Sequence, residues 1–230
     1  MSKPEPRFTA NTPDKGPLAR LGNIVRKRLA ANPKIYRFDT KKAEIFALAG
    51  FFNAEECAQM CDMIDLVAKP SIAFDNPYGE SHRTSFSGDV DPKDPFVRKI
   101  QRRIDDLLGI PGEYGETIQG QRYEVGQEFR SHYDWFRHEA AYWQAEKDNG
   151  GQRSWTAMVY LNQVEEGGAT VFDDLGLSIE PKEGVLLAWN NATPEGAPNK
   201  WTAHSGAPVV KGVKYIMTKW YRVRQWGPKY

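Results

Sequence analysis

The chain has 230 residues, of which 40% are hydrophobic and 27% charged, and its formal net charge is +1. This composition is typical of a globular protein and excludes a disordered chain. No run of about eighteen apolar residues occurs and no apolar segment follows Met1, so we expect neither a membrane span nor a secretory signal.

The first residues of the chain carry an excess of positive charge. Residues 1–42 hold eleven Lys and Arg against three Asp and Glu, a net charge of +8 that leaves −7 for residues 43–230. The apolar positions from Leu18 to Leu29 predict a short basic helix within this segment, which ends before Pro33. We therefore predict a basic N-terminal extension followed by a body that begins at residue 43.

Two interpretations of this extension are open. A basic arm can bind nucleic acid, or it can be a solvated segment that pairs with the acidic body. No motif of a nucleic-acid-binding module accompanies it. We therefore favour the second interpretation and expect no nucleic-acid partner.

Two helices with clear ends are predicted in the first half of the body. Asn53 and Glu56 form a capping pair, which begins a helix that extends to about residue 69. Asp94 is the expected N-cap of the next helix, with Pro95 at its first position and Gly109 at its end. Both helices have apolar faces suited to packing on a sheet.

The two cysteines indicate a reducing environment. Cys57 and Cys61 fall within one turn of the first of these helices, where the geometry of a disulfide fits poorly. We expect two core thiols and a cytoplasmic protein.

Between the two helices, the stretch from Asp75 to Asp91 is polar and contains glycine. Its length and composition predict a mobile loop or an irregular hairpin. It includes Arg83-Thr-Ser85, whose side chains can bind a peptide backbone. We expect this loop to fold over a substrate.

After Pro111 the pattern changes to short apolar runs that are separated by Gly- and Pro-containing turns. A short helix is predicted near 137–147, and the strands are predicted near 117–129, 154–162, 169–173, 184–189, 201–205 and 212–223. Helices followed by many short strands predict an α+β fold. We expect a double-stranded β-helix, also called a jelly-roll or cupin-like core, over about 112–225, with the N-terminal helices packed on its major sheet.

The run Arg130-Ser-His-Tyr-Asp-Trp-Phe136 carries His132 and Asp134 at the spacing that places two side chains on one face of an extended segment. His204 supplies a second imidazole later in the chain. Two histidines and one carboxylate form the facial triad of non-haem Fe(II) oxygenases, which leaves coordination positions open. The sequence therefore predicts an Fe(II) site.

Lys214 supplies a cation after this second histidine. A 2-oxo acid can chelate the iron while O2 takes the remaining position, and the far carboxylate of the acid then needs a fixed positive charge. Strand alternation places Lys214, Ile216, Thr218 and Trp220 on one face of a predicted strand, and Gln121, Tyr123 and Val125 on one face of another. We expect these faces to form the pocket for 2-oxoglutarate.

With these residues identified, the region from about Tyr123 to Trp220 resembles the catalytic core of prolyl 4-hydroxylases, within the Fe(II)/2-oxoglutarate dioxygenases. The matching motifs are Tyr123-x-x-Gly126-Gln127-x-Phe129-x-x-His132-x-Asp134, Asn149-Gly-Gly-Gln-Arg153, Tyr160-Leu-Asn162, Gly167-Gly-Ala-Thr170-x-Phe172 and His204-Ser-Gly-x-Pro208-Val-x-x-Gly212-x-Lys214-Tyr-x-x-Thr218-Lys-Trp220. The resemblance covers nearly half of the chain. It implies hydroxylation of a prolyl residue, with release of succinate and CO2.

The resemblance also implies roles for single residues. Tyr123 and Thr170 would hydrogen-bond 2-oxoglutarate, and Trp220 would form a wall of its pocket. The substrate would contact residues around the metal, for which the candidates are Arg83, Ser85, Arg153 and Trp135. Ascorbate is a further implied reductant.

Three functions remain open at this point. The first is a soluble hydroxylase of a proline-containing peptide or protein. The second is the same oxygenase acting on a free amino acid or another small metabolite, because Arg222 stands where some peptide-hydroxylating members have histidine. The third is a non-catalytic cupin-like binding or sensor module, which has no need for the triad and the lysine together.

Overall fold

A computed structural model describes residues 13–71 and 82–227. The helices are α1 (Lys15–Ala30), α2 (Ala54–Val67), α3 (Pro95–Leu108) and α4 (Trp143–Asp148). The strands of the first half are β1 (Ile35–Arg37), β2 (Ile45–Leu48), β3 (Lys69–Pro70), β4 (Phe86–Asp89), β5 (Gln119–Tyr123) and β6 (Phe129–His132). Those of the second half are β7 (Arg153–Tyr160), β8 (Glu166–Gly167), β9 (Thr170–Phe172), β10 (Leu177–Ile179), β11 (Leu186–Asn190), β12 (His204–Gly206), β13 (Val209–Lys211) and β14 (Lys214–Arg222).

The strands form two antiparallel sheets and one small ribbon. The major sheet has eight strands in the order β1-β2-β11-β7-β14-β5-β4-β3, and the minor sheet has four in the order β10-β9-β12-β6. The ribbon pairs β13 with β8. Helices that precede a two-sheet jelly roll confirm the predicted α+β class and its double-stranded β-helix core.

Two clusters of buried apolar residues pack the helices and the two sheets against one another. One lies between the helices and the outer face of the major sheet, and its members include Val25 of α1, Ile64 of α2, Ile104 of α3 and Met217 of β14. The other lies between the two sheets and includes Tyr160, Phe172 and Trp189. The expected packing of the N-terminal helices on the major sheet is therefore confirmed.

The N-terminal segment is packed on this body as far as it is described. Leu18, Val25 and Leu29 of α1 are each at most 1% exposed, and β1 extends the edge of the major sheet. Arg26 of α1 also pairs with the buried Glu44. The division of the chain at residue 42 stays a prediction, and residues 1–12 lie outside the described part.

The helix ends follow the predicted chemistry. Asn53 accepts a hydrogen bond from the Glu56 amide at 2.8 Å, and the Glu56 carboxylate accepts one from the Asn53 amide at 3.3 Å. The Asp94 carboxylate accepts from the amides of Phe96 and Val97, which caps α3. Gly109 ends α3 at φ 68°, a conformation that favours glycine.

The stretch between α2 and α3 contains a hairpin whose strands reach the edge of the major sheet. Lys69 and Pro70 pair with Ser87 and Phe86, and β4 continues the sheet to β5. Residues 72–81 lie outside the described part of the chain, so the expected closure of this loop over a substrate stays a prediction.

Among the described residues, no helix combines the length and the hydropathy that a membrane span requires.

Candidate active site

The two predicted histidines and the aspartate lie together between the sheets. His132 ends β6 and His204 begins β12, and these two residues are direct partners in the pairing of the two strands. Asp134 follows β6, and Nε2 of each histidine lies 3.9 Å from a carboxylate oxygen of this aspartate. One ligand atom from each of the three residues lies within 4.8 Å of the others, which is the separation expected of ligands to a single ion.

Hydrogen bonds fix which nitrogen of each imidazole faces this point. Nδ1 of His132 lies 2.9 Å from the carbonyl oxygen of Arg130, and Nδ1 of His204 lies 2.9 Å from that of Thr202. Each Nδ1 must donate to its carbonyl, so each Nε2 keeps its lone pair for a metal. Burial, together with the neighbouring His204, holds the pKa of His132 well below its usual value. The imidazole of His132 is therefore neutral, as a metal ligand must be.

Both rings are also held in place by aromatic contacts. His132 stacks on Phe129 with a centroid separation of 3.6 Å, and His204 lies between Phe172 and Trp189 at 5.5 and 4.9 Å. Two imidazole nitrogens and one carboxylate on one side of an ion form the donor set that non-haem Fe(II) oxygenases use. The residues present therefore fit Fe(II).

A pocket extends from these ligands between the sheets. Besides the three ligands it is lined by Gln121, Tyr123, Phe129, Met158, Thr170, Trp189, Ser205, Gly206, Lys214, Ile216, Thr218 and Trp220. The four residues predicted to share a face of the last strand are all in this lining. Strand alternation in β14 and β5 thus identified one wall of the pocket from the sequence. The prediction was wrong for Val125, which lies beyond the end of β5, is 63% exposed and is not in the lining.

Lys214 is the basic residue in this pocket lining. It is 1% exposed, and no carboxylate of the described residues lies within ion-pair distance of its ammonium group. The rings of Tyr123 and Tyr160 lie 5.3 and 5.8 Å from Nζ. Burial lowers the pKa of Lys214 to about 7, against a small opposing effect of Glu180. A buried cation without an anionic partner fits a site for the far carboxylate of 2-oxoglutarate.

The predicted co-substrate residues surround this lysine. The Tyr123 hydroxyl donates to Oε1 of Gln121 at 2.8 Å, and Nε2 of Gln121 donates to the Thr218 hydroxyl at 3.1 Å. The Thr170 hydroxyl accepts from the Tyr160 hydroxyl at 2.7 Å. The Thr218 and Thr170 hydroxyls accept in these bonds, so the proton of each stays available to a carboxylate in the pocket.

Of the four predicted substrate residues, none lines the pocket itself. Arg83 and Ser85 lie at the rim, where Nε of Arg83 donates to the Ser85 hydroxyl at 3.0 Å. The Arg83 guanidinium also lies 4.9 Å from the ring of Phe129, which is a pocket residue. Burial lowers the pKa of Arg83. Phe129 therefore separates Arg83 from the metal ligand His132, on whose ring it stacks.

The other two predicted substrate residues lie on the opposite side. The guanidinium of Arg153 lies 4.2 Å from the ring of Trp220, and its Nη1 donates to the backbone carbonyl of Asp134 at 3.4 Å. Trp135 is 7% exposed and packs against Tyr133 at 4.7 Å. Arg153 thus touches both a wall of the pocket and the backbone of a metal ligand.

The sequence did not reveal the charge network to which Arg153 belongs. Glu116 accepts from Arg153 through both carboxylate oxygens at 2.7 Å and also from Nε of Arg222 at 2.5 Å. Arg222 donates further to Glu146 of α4 and to the carbonyl of Gly151. Although burial opposes ionisation, the two guanidinium groups lower the pKa of Glu116. Nothing in the local sequence around Glu116 marks it as a site residue.

Comparison with known proteins agrees with this geometry. Residues 118–222 match the model of the 2OG-Fe(II) oxygenase superfamily. The chain is 35% identical to probable prolyl 4-hydroxylase 10 of Arabidopsis thaliana, over 90% of this chain and 80% of that protein. It is 34% identical to prolyl 4-hydroxylase 5 of the same plant, over 76% of this chain and 67% of that protein.

A solved structure gives the same result. The viral collagen prolyl hydroxylase of Paramecium Bursaria Chlorella virus-1, in its 2OG complex, superimposes with a TM-score of 0.61 at 28% identity. The alignment covers 79% of this chain and 96% of the viral chain.

A jelly roll that holds two histidines, one aspartate and a buried lysine in one pocket defines an Fe(II)- and 2-oxoglutarate-dependent dioxygenase, which uses O2 as its oxidant. Within that class, the chain belongs to the prolyl 4-hydroxylase family. The non-catalytic binding module is thereby excluded.

Proposed function

We propose that this enzyme hydroxylates a prolyl residue within a peptide or protein, with 2-oxoglutarate and O2 as co-substrates. In this reaction one oxygen atom of O2 enters succinate and the other becomes the new hydroxyl group, while CO2 is released. The observation that carries the proposal is the pocket in which the triad and Lys214 lie on facing sheets. The family to which the chain belongs supports the prolyl substrate.

His132, Asp134 and His204 would hold the iron through Nε2, one carboxylate oxygen and Nε2. Asp134 contributes one negative charge, so the site keeps a net positive charge toward the anionic co-substrate. When bound, Fe(II) supplies the O2-activating chemistry of the reaction. The protein supplies three fixed ligands and leaves the remaining coordination positions to co-substrate and O2.

Lys214 would pair with the far carboxylate of 2-oxoglutarate, and Thr170 would donate a hydrogen bond to the same molecule. Tyr123 would also donate to it, once its hydroxyl turns away from Gln121. Trp220 would close the side of the pocket that Arg153 covers. These contacts place the 2-oxo acid end of the co-substrate at the triad. They also exclude water from the inner part of the pocket.

The substrate would bind across the rim between Arg83 and Arg153. Both guanidinium groups can donate to peptide carbonyls, while Ser85 holds Arg83 and Glu116 holds Arg153. Trp135 provides an apolar surface next to Asp134, against which a pyrrolidine ring can pack. A peptide offers carbonyl groups on both sides of the reacting proline, which matches donors on both sides of the pocket.

The test is an assay of succinate release by the purified enzyme with Fe(II) and 2-oxoglutarate. Proline-rich peptides are compared with the same peptides carrying alanine for proline, and with free proline and other free amino acids. We expect succinate release above the basal level, together with a mass gain of one oxygen atom, only with the proline-containing peptides. Turnover of free amino acids without turnover of any peptide would establish the small-metabolite alternative instead.

Two further properties stay predictions. Ascorbate would act as a reductant that restores Fe(II) after uncoupled turnover. A cytoplasmic location is expected from the thiols of Cys57 and Cys61, which are unbonded in the structure. The first is tested by measuring whether sustained turnover depends on ascorbate. The second is tested by cell fractionation.

A further inference from the structure

A polar chain leads from Asp134 into the major sheet. The Thr156 hydroxyl lies 2.7 Å from Oδ2 of Asp134, and Nδ2 of Asn191 lies 2.9 Å from the same hydroxyl oxygen. Thr156 is 0% exposed and Asn191 is 1% exposed. Neither residue lines the pocket, so neither can contact a co-substrate there.

The chemistry of the three groups fixes the direction of both bonds. A carboxylate that binds a metal is ionised and can only accept, so the single hydroxyl proton of Thr156 must point to Asp134. The Thr156 oxygen is then left to accept, and Asn191 must donate its amide hydrogen. Among the described residues, Oδ1 of Asn191 has no hydrogen-bond partner. This is consistent with an amide that is placed for its donor group.

The position of Thr156 makes this contact rigid. It lies in the middle of β7, and its direct partners on the two neighbouring strands are Trp189 and Trp220. Direct partners in antiparallel strands share a face, so the two indoles flank the hydroxyl and keep water away from it. Asn191 is held by its own backbone, which donates to the carbonyl of Ser154 and accepts from the amide of Asn199.

We propose that Thr156 and Asn191 are positioning residues that act through Asp134, by fixing the orientation in which its carboxylate meets the metal. The Thr156 hydroxyl occupies one lone pair of Oδ2, which disfavours ligation through both oxygens, and the Asn191 amide fixes that hydroxyl in turn. One-oxygen ligation keeps a coordination position free, which the co-substrate and O2 require. The inference rests on the proposed ligation of iron by Asp134.

The decisive variant is Thr156→Val, which removes the hydroxyl group and keeps the branched shape. Co(II) serves as the probe, because its visible spectrum reports coordination number without turnover. Loss of a residue that orients a metal ligand typically weakens metal binding about 10- to 100-fold. We expect a loss of this size and a changed Co(II) spectrum, with both restored in Thr156→Ser.

Ser154→Ala is the matched control on the same strand. Its hydroxyl is equally buried and donates to the carbonyl of Tyr221 at 3.0 Å, but it does not contact Asp134. We expect this variant to lower the melting temperature while the dissociation constant for Co(II) stays at the wild-type value. If Thr156 had only a structural role, both variants would lower the melting temperature and leave the dissociation constant for Co(II) unchanged.

Should Thr156→Val fail to fold, Asn191→Leu decides the question, because it removes the amide donor and leaves the pocket lining unchanged. The inference expects weaker Co(II) binding there too. A folded Thr156→Val or Asn191→Leu protein with wild-type affinity and spectrum would overturn it. If the wild-type protein itself bound no Co(II), and His132→Ala made no difference, the proposed function would fail rather than this inference alone.

Discussion

The ammonium group of Lys214 lies 5.3 Å from the centre of the Tyr123 ring, in a part of the pocket where its side chain is 1% exposed. An aromatic face stabilises a cation only modestly and does not replace a carboxylate. The free enzyme therefore holds a desolvated charge that 2-oxoglutarate can neutralise.

Lys214→Ala should weaken 2-oxoglutarate binding far more than metal binding. Loss of one partner of a buried ion pair typically costs about 3–5 kcal/mol, which corresponds to a rise in Kd of at least about 100-fold. Isothermal titration of the metal-loaded variant measures this change. Lys219→Met is the control, because Lys219 is equally buried on the same strand but pairs with Asp105 outside the pocket. An unchanged Kd in Lys214→Ala would remove Lys214 from the co-substrate site.

The affinity for 2-oxoglutarate should fall as the pH rises above about 7. Burial lowers the pKa of Lys214 in the free enzyme to about 7, whereas the charged form binds the dianion. Binding must then take up a proton above that pH, so affinity is full below it and declines above it.

The dependence of folding stability on pH has the opposite sign. The unfolded chain keeps this proton up to its ordinary pKa of 10.5, whereas the folded chain loses it above about 7. The contribution of Lys214 to the free energy of unfolding therefore increases from pH 7 toward 10.5.

The measurement is the Kd for 2-oxoglutarate between pH ~6 and pH ~9, with Mn(II) in place of iron. Lys214→Arg is the control, since a guanidinium group stays protonated over this range. Its Kd is expected to vary less with pH than that of the wild type. Equal pH profiles for the two proteins would contradict the assignment of the titration to Lys214.

His132→Ala, Asp134→Ala and His204→Ala should each abolish turnover and weaken Fe(II) binding while the fold persists. Each residue provides one of three protein ligands, and the rings of both histidines are packed by aromatic neighbours that remain. Metal titration and circular dichroism separate the two effects. His138→Ala is a suitable control, because this histidine lies against Trp143 and Gln152 rather than in the triad. A variant that keeps wild-type succinate release in metal-limited buffer would strike its residue from the site.

Arg222→Met should destabilise the protein and weaken substrate binding, while 2-oxoglutarate binding stays near its wild-type value. Arg222 is 3% exposed and shares Glu116 with Arg153, so its loss leaves a buried carboxylate with one cation. Breaking such a buried ion pair typically costs about 3–5 kcal/mol of stability. Urea unfolding and the KM for the peptide test this. The double variant Arg222→Met, Glu116→Gln should recover part of the stability. If it did not, the loss in Arg222→Met would not come from the unneutralised charge of Glu116.

Arg83→Ala should raise the KM for the peptide and increase the 2-oxoglutarate consumed per hydroxylated product. Arg83 covers Phe129 at the rim, so its loss opens the metal centre to water. Coupled and uncoupled turnover are measured separately, and basal decarboxylation without substrate should persist. Thr84→Ala, which removes the exposed hydroxyl next to it, should change neither quantity. Wild-type affinity and coupling in Arg83→Ala would remove this residue from the substrate site.

Features that depend on neighbouring residues in the sequence could be predicted. The Asn53 and Asp94 caps determine where α2 and α3 begin, and alternation along β14 identified which of its residues face the pocket. The His-x-Asp spacing likewise implied two ligands on one side of a strand. Each of these relations is complete within a few residues of chain.

Relations that form only on folding could not be predicted. Glu116 meets Arg153 and Arg222 across three segments that no local pattern connects. The charge of the first 42 residues indicated an extension, whereas the apolar face of α1 is buried against α3 and the sheet. Charge counts describe the exposed face of a helix and say little about the face that it buries.

The strand β14 runs between β7 and β5 near the middle of the major sheet and bears different structures on its two faces. Lys214, Thr218 and Trp220 face the pocket, while Lys219 and Tyr221 bond to Asp105 of α3. Its backbone amides are therefore expected to exchange with deuterium only when the whole domain unfolds. We therefore expect this wall of the co-substrate pocket to stay closed unless the whole domain unfolds. Entry and release of ligands must then depend on motion at the rim of the pocket.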